Sequence, residues 1–243
     1  MKVNRGYLAV PISLVSWALQ SNKSNHLGLY VFFKLLALKS GGYLFLNEVS
    51  YKDLGDALCV TPKSIKKYWD WLIENKWITV NEKRKVFRII SYDKVIYKLS
   101  IKKKEKGKYD VLIKNSINFK ALWCGVLTSY FLRQKRYYER TAKPEIVSFI
   151  KTKCPKGFYP MSLEYIAKNL KVSISTACRY LKIAKENGYV DVIENLIDIG
   201  IENKSFYFVQ KQYAEMDLRS FIRRGKEGSI VKIGPNLIRS NFI

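Results

Sequence analysis

Apolar residues recur at steps of four and three along residues 65–72, where Ile65, Trp69 and Leu72 define one stripe of a helix. They do so again along residues 177–184, through Ala177, Leu181 and Ala184. The two stripes lie 112 residues apart, and the correspondence extends beyond them. Residues 50–80 (SYKDLGDALCVTPKSIKKYWDWLIENKWITV) align without a gap on 162–192 (SLEYIAKNLKVSISTACRYLKIAKENGYVDV), with seven identical pairs that include Leu58/Leu170, Tyr68/Tyr180 and Asn75/Asn187. Similar pairs, such as Leu54/Ile166, Thr61/Ser173, Lys67/Arg179 and Trp77/Tyr189, hold the same register.

Polar residues punctuate both copies at the same places. Ser50 and Ser162 stand where an N-cap hydroxyl accepts a bond from the first turn, with Asp53 and Glu164 close behind, and each short helix ends near Leu58 or Leu170. After a short turn, Thr61 or Ser173 caps a second helix, and Pro62 occupies a first-turn position where a missing N–H costs nothing. Asn75-Lys76 and Asn187-Gly188 predict its C-terminal stop. Strand-forming runs follow: Trp77 to Val80 answered by Val86 to Ile90, and Tyr189 to Ile193 answered by Ser205 to Val209. Helix, turn, helix and hairpin together predict a winged helix, twice. The expected fold class is mainly α with small β wings (α+β), as two winged-helix modules in pseudo-repeat at an offset of 112.

The flanking segments complete the expected organisation: a first module over 1–100, a basic linker or hairpin over 101–117, a second module over 118–212 and a basic C-terminal extension over 213–243. His26 to Leu38 (HLGLYVFFKLLAL) predicts a helix apolar on nearly all sides, expected to be buried between modules or at a dimer interface. Asn118 to Arg140 predicts a one-sided helix carrying Phe119, Leu122, Val126, Leu127, Tyr130 and Phe131, and EIVSFIKTK a short one between Pro144 and Pro155. Two Gly-rich turns argue against a continuous helix in the C-terminal LRSFIRRGKEGSIVKIGPNLIRSNFI, expected as a DNA-binding arm or an interface strap. The uncharged run from Gly6 to Asn22 behind a basic start resembles the first regions of a signal peptide. Pro11, Ser13, Ser16 and Gln20 interrupt it, which favours a buried N-terminal helix or arm. No membrane partner is expected, and the cytoplasm or nucleoid of a bacterial cell is the expected compartment.

Charge decides which partner suits these modules. Across 243 residues, 44 Lys and Arg face 20 Asp and Glu, a formal net charge of +24, and such self-repulsion is relieved by a polyanion. One histidine and four cysteines with no C-x-x-C pair leave too few ligands for a zinc finger, so no metal or cofactor is expected. Phosphate-loop, nucleophile-elbow and H-E-x-x-H patterns are all missing, which argues against an enzyme.

On the second helix of the first copy, Lys63, Ser64, Lys66 and Lys67 fall opposite the apolar stripe; Ser175, Thr176, Arg179 and Lys182 do so in the second copy, with Cys178 among them. That is the face a recognition helix presents to the major groove. Arg179 is the strongest candidate for base reading, because a guanidinium can donate two bonds to a guanine edge. Lys83, Arg84, Lys85 and Arg88 at the first wing suit phosphate or minor-groove contact, whereas the second wing carries Asp191, Glu194, Asp198 and Glu202 against Lys204. An acidic wing is expected to turn from phosphates or to hold a protein partner.

LGDALCVTPKSIKKYWDWLIENKWI and IAKNLKVSISTACRYLKIAKENGYV resemble the helix-turn-helix of tandem winged-helix DNA-binding proteins, although Lys76 stands where glycine is usual. The arrangement is similar to replication initiators of plasmids and phages and to transcription regulators of phages and mobile elements. The resemblance implies sequence-specific binding of double-stranded DNA, as a regulator in the first place, with an origin-binding initiator or a protein-interaction adaptor as alternatives. A homodimer is a further expectation.

Overall fold

Serine and threonine hydroxyls begin the paired helices where the sequence requires. The computed structural model describes residues 7–58, 60–101, 108–112, 118–142, 154–193, 196–200, 221–224, 230–233 and 235–242. These are mainly helical, with small antiparallel sheets, and the chain divides into two units, residues 1–127 and 128–243.

The first unit runs β1 (Tyr7–Pro11), α1 (Ile12–Gln20), α2 (Ser24–Leu36), β2 (Tyr43–Phe45), α3 (Tyr51–Leu58), α4 (Pro62–Glu74), β3 (Ile78–Asn81), β4 (Val86–Ile89), α5 (Tyr92–Lys98) and β5 (Lys108–Leu112). Helix α6 (Phe119–Ala142) starts in this unit and continues into the next. Strands β2, β4 and β3 form an antiparallel sheet with β4 in the middle.

Helix α2 is the core of this unit. Apart from Asn25, every residue from Ser24 to Phe33 is buried, because α1, α4, β1 and β4 all pack on it. Its all-round apolarity is thus satisfied inside the unit, without the module boundary or dimer interface expected for it. Gly28 lets α6 come close: a Cβ there would stand 2.2 Å from Cγ of Phe119. The Trp123 indole donates to the Ser24 carbonyl at 2.9 Å beside this contact.

Two local expectations need correction. The chain enters through β1 before α1, and β1 pairs antiparallel with β5, so the expected basic linker or hairpin contributes a strand. Helix α6 is buried on every side from Ala121 to Leu132, so its first half has no solvated face. The expected short helix EIVSFIKTK lies outside the described residues.

The second unit continues from α6 through β6 (Tyr159–Met161), α7 (Leu163–Leu170), α8 (Ile174–Glu186), β7 (Val190–Ile193), β8 (Leu196–Gly200), β9 (Phe221–Arg224), β10 (Ile230–Ile233) and β11 (Asn236–Ser240). Its first sheet has the order β6-β11-β7. The strand expected to answer β7, residues 205–209, lies outside the described residues. The partner seen is β11, which pairs Leu237 with Ile193 and with Pro160. The segment expected as a C-terminal extension therefore contributes the middle strand of this sheet. Between β7 and β11 a second sheet, β8-β10-β9, is inserted.

Backbone hydrogen bonds in the two units match at the sequence offset. Thr61 accepts from the Ser64 N–H at 3.3 Å and Ser173 from the Thr176 N–H at 3.2 Å; Ser50 and Ser162 cap α3 and α7 likewise. The turn between helices closes through Val60 N–H to Gly55 O in one unit and Val172 N–H to Ala167 O in the other. Asn75 and Asn187 each send a side-chain N–H to the carbonyl four residues back, at 2.9 Å. Trp77 and Tyr189 donate to Leu72 and Ala184, the 6→1 bond of a Schellman stop. Lys76 (φ 56°) and Gly188 (φ 72°) take the left-handed position in that stop, so the lysine adopts the conformation glycine supplies at less strain.

Candidate nucleic-acid interface

Helix α4 separates its faces sharply. Ile65, Trp69 and Leu72 are buried, whereas Lys63, Lys66 and Lys67 are exposed and Ser64 is half-buried beside its cap. Trp69 packs edge-on to Phe33 and Phe87, at centroid distances of 5.3 and 4.9 Å, so the helix is anchored by an aromatic wedge. The exposed face is cationic but not purely so, since Asp70 is also exposed on it. Between β3 and β4, Lys83, Arg84 and Lys85 are all exposed. That turn is shaped by Asn81, whose Oδ1 accepts from the Arg84 N–H at 3.1 Å, and by a left-handed Lys85 (φ 51°).

In α8, Ala177, Tyr180, Leu181 and Ala184 are buried, and Ser175, Cys178, Arg179 and Lys182 are exposed. Ser175 and Thr176 exchange hydrogen bonds with the Ser173 cap, both at 2.9 Å, so their hydroxyls are partly committed to the helix end. Lys182 stands 3.8 Å from Glu186 one turn on. Arg179 makes no hydrogen bond or ion pair with the described residues, and its guanidinium is available to a ligand.

One carboxylate of the expected acidic second wing, Asp191 on β7, is neutralised within the fold. The Asp191 carboxylate accepts two bonds from Arg239, at 2.9 and 2.6 Å, and one from Asn241 at 3.1 Å. These bonds hold its pKa below the ordinary carboxylate value. Glu194, Glu202 and Lys204 lie outside the described residues.

A layer behind α4 escaped sequence reasoning. The His26 ring lies 4.8 Å from the centroids of both Tyr68 and Trp71, and Asn25 Nδ2 donates to Tyr68 Oη at 2.9 Å. Lys23 Nζ stands 4.9 Å from the Trp71 ring. His26 Nδ1 is buried without a hydrogen-bond partner. Burial, then the charges of Lys23 and Lys67, push its pKa down to about 4. The adjacency of Asn25-His26 in the sequence to an apolar helix was the available signal, but their partners lie more than forty residues away.

Among the described residues no three His, Cys, Asp or Glu side chains converge as metal ligands, and no helix is long and apolar enough to cross a membrane. Comparison with models of protein families, with curated proteins and with solved structures finds no match.

Proposed function

We propose that the chain binds double-stranded DNA in a sequence-specific manner through two winged-helix modules, acting as a transcription regulator of a phage or mobile element. The observation that carries this reading is the recurrence, 112 residues apart, of the same caps, turn bonds and Schellman stops around two helices whose outward faces are cationic. In each unit a strand precedes the helix pair, another follows it, and a third pairs between them, the order of a winged helix. The second module differs from the first by the insertion between β7 and β11, which makes its wing larger.

Two energetic contributions are separable in this reading. Lys83, Arg84 and Lys85 act on phosphates and release counterions, giving affinity that falls with salt; Lys63, Ser64, Lys66 and Lys67 of α4 and Ser175, Thr176, Arg179 and Lys182 of α8 face base edges. The neutralisation of Asp191 by Arg239 lowers the electrostatic cost of a phosphate near the second wing.

Selection of bound fragments from a random duplex library at about 0.15 M salt tests the proposal, because non-specific attraction is already weakened there. Enrichment of one motif is expected, and two half-sites at fixed spacing would mean that both helices read together. Iterated copies of that motif at an origin would assign the chain to replication initiation instead. Absence of any enriched motif would overturn sequence-specific reading and favour a protein-interaction adaptor.

A further inference from the structure

The outward face of the β2-β4-β3 sheet carries rings and cations together. Leu44 and Phe87 are buried against the helices, so by strand alternation Tyr43 and Phe45 turn outward, and they are 44% and 54% exposed. The register places Arg88 between Tyr43 and Thr79, with its guanidinium carbon 5.7 Å from the Tyr43 ring centroid, and places Val86 between Phe45 and Asn81. A groove of about 660 Å³ opens on this face at Tyr43, Thr79, Val86 and Arg88, with Phe45, at the other end of β2 from Tyr43, outside its lining. Lys34, Arg84, Arg88 and Lys94 line it, and no Asp or Glu of the described residues does. Lys34 is fixed in place, its Nζ donating to the Ile90 carbonyl at 3.2 Å beside the rings of Tyr30 and Tyr92.

Four cations around one groove repel each other and invite an anion. Two outward rings on neighbouring same-face positions of an edge strand offer flat apolar surface, and Leu38, 56% exposed, extends it at the groove wall. A duplex keeps its base faces inside its own stack and cannot use such rings, whereas unpaired bases stack on them while their phosphates meet lysine and arginine. We propose that the outer face of this sheet binds single-stranded nucleic acid, with bases on Tyr43 and Phe45 and phosphates on Lys34, Arg88 and Lys94. This activity is additional to duplex recognition by α4 and α8 and does not rest on it.

The test is fluorescence anisotropy of the full chain with a labelled oligo-dT of about 15 nucleotides, the upper end of the site size such surfaces cover. Combined Tyr43→Ala and Phe45→Ala is expected to weaken binding about tenfold or more, within the range for losing stacked bases. Lys94→Glu is expected to weaken it several-fold and to flatten its salt dependence. Neither variant should change affinity for a duplex by more than about twofold, because duplex binding uses other residues. All three side chains are exposed, and unchanged thermal melting of the variants checks that the fold is kept; should the ring variant melt early, Lys94→Glu carries the test alone. Failure of the wild type to bind oligo-dT, wild-type affinity in the variants, or equal losses on single strand and duplex would each overturn the proposal. Binding to oligo-dT with none to duplex would leave it standing and remove the duplex reading instead.

Discussion

Arg239 donates two hydrogen bonds to the carboxylate of Asp191, at 2.9 and 2.6 Å, across the pair β11-β7. The last strand of the described residues thereby closes a sheet begun at β6, more than seventy residues earlier. The two side chains are about half and more than a third exposed, so the bridge itself contributes little, about 0.5–1 kcal/mol. The strand contributes far more, since Ile238 at its centre is fully buried. Arg239→Ala is therefore expected to lower Tm by a few degrees, and deletion of residues 235–243 to abolish cooperative melting of the second unit, both read by circular dichroism. Because Asp191 has a depressed pKa in the fold, the bridge's share is present above the ordinary carboxylate value and is lost as pH falls through the depressed one.

Gly28 faces the ring of Phe119 at a distance no Cβ tolerates. Gly28→Ala gains about 1 kcal/mol of helix propensity in α2 but overpacks a buried ring on α6, which costs about 1–3 kcal/mol and has no flexible end to yield. Overpacking wins, and denaturant unfolding should show a net loss of stability. Adding Phe119→Leu should recover part of it, because the smaller side chain makes room for the methyl; additive losses in the double variant would contradict the contact.

His26 gives the fold a particular response to acid. Its folded pKa of about 4 lies below the unfolded value of about 6.5, so between those values the unfolded chain binds a proton that the folded chain refuses. Stability is full above about 6.5 and declines as pH falls toward 4. Carboxylates titrate mainly below about 4.5, and the chain has one histidine, so the slope between pH 5 and 6.5 belongs to His26. His26→Phe keeps a ring between Tyr68 and Trp71 and removes an unpaired nitrogen; its stability should be flat over that interval by thermal melting.

Local chemistry was legible in the sequence and long-range pairing was not. The N-caps at Thr61 and Ser173, the buried stripes of α4 and α8, and the left-handed stop at Lys76 and Gly188 depend on residues within a turn of each other, which spacing reveals. The partner of β7 lies some forty-five residues downstream, beyond an inserted sheet, and β1 pairs with a segment that reads as a charged linker. Neither pairing leaves a periodic trace. Arg88 reads from the sequence as a wing cation, but nothing in the spacing marks the rings of Tyr43 and Phe45 until register brings Tyr43 beside it.

Arg179 and Arg84 should separate specificity from affinity. Arg179 is exposed on α8 and free of partners among the described residues, so a base edge can take both of its donors. Arg179→Ala is expected to lose about 1–3 kcal/mol on the selected motif and little on random duplex. Arg84 is exposed in the β3–β4 turn, and in the proposed reading it meets backbone phosphate, which carries no sequence information. Arg84→Ala should weaken every duplex alike and reduce the slope of log affinity against log salt by about one. Both are read by titrating motif and scrambled duplexes at several salt concentrations. An equal loss on both duplexes for Arg179→Ala would move that arginine to the phosphate class, and a loss of sequence preference in Arg84→Ala would move the wing turn into a groove.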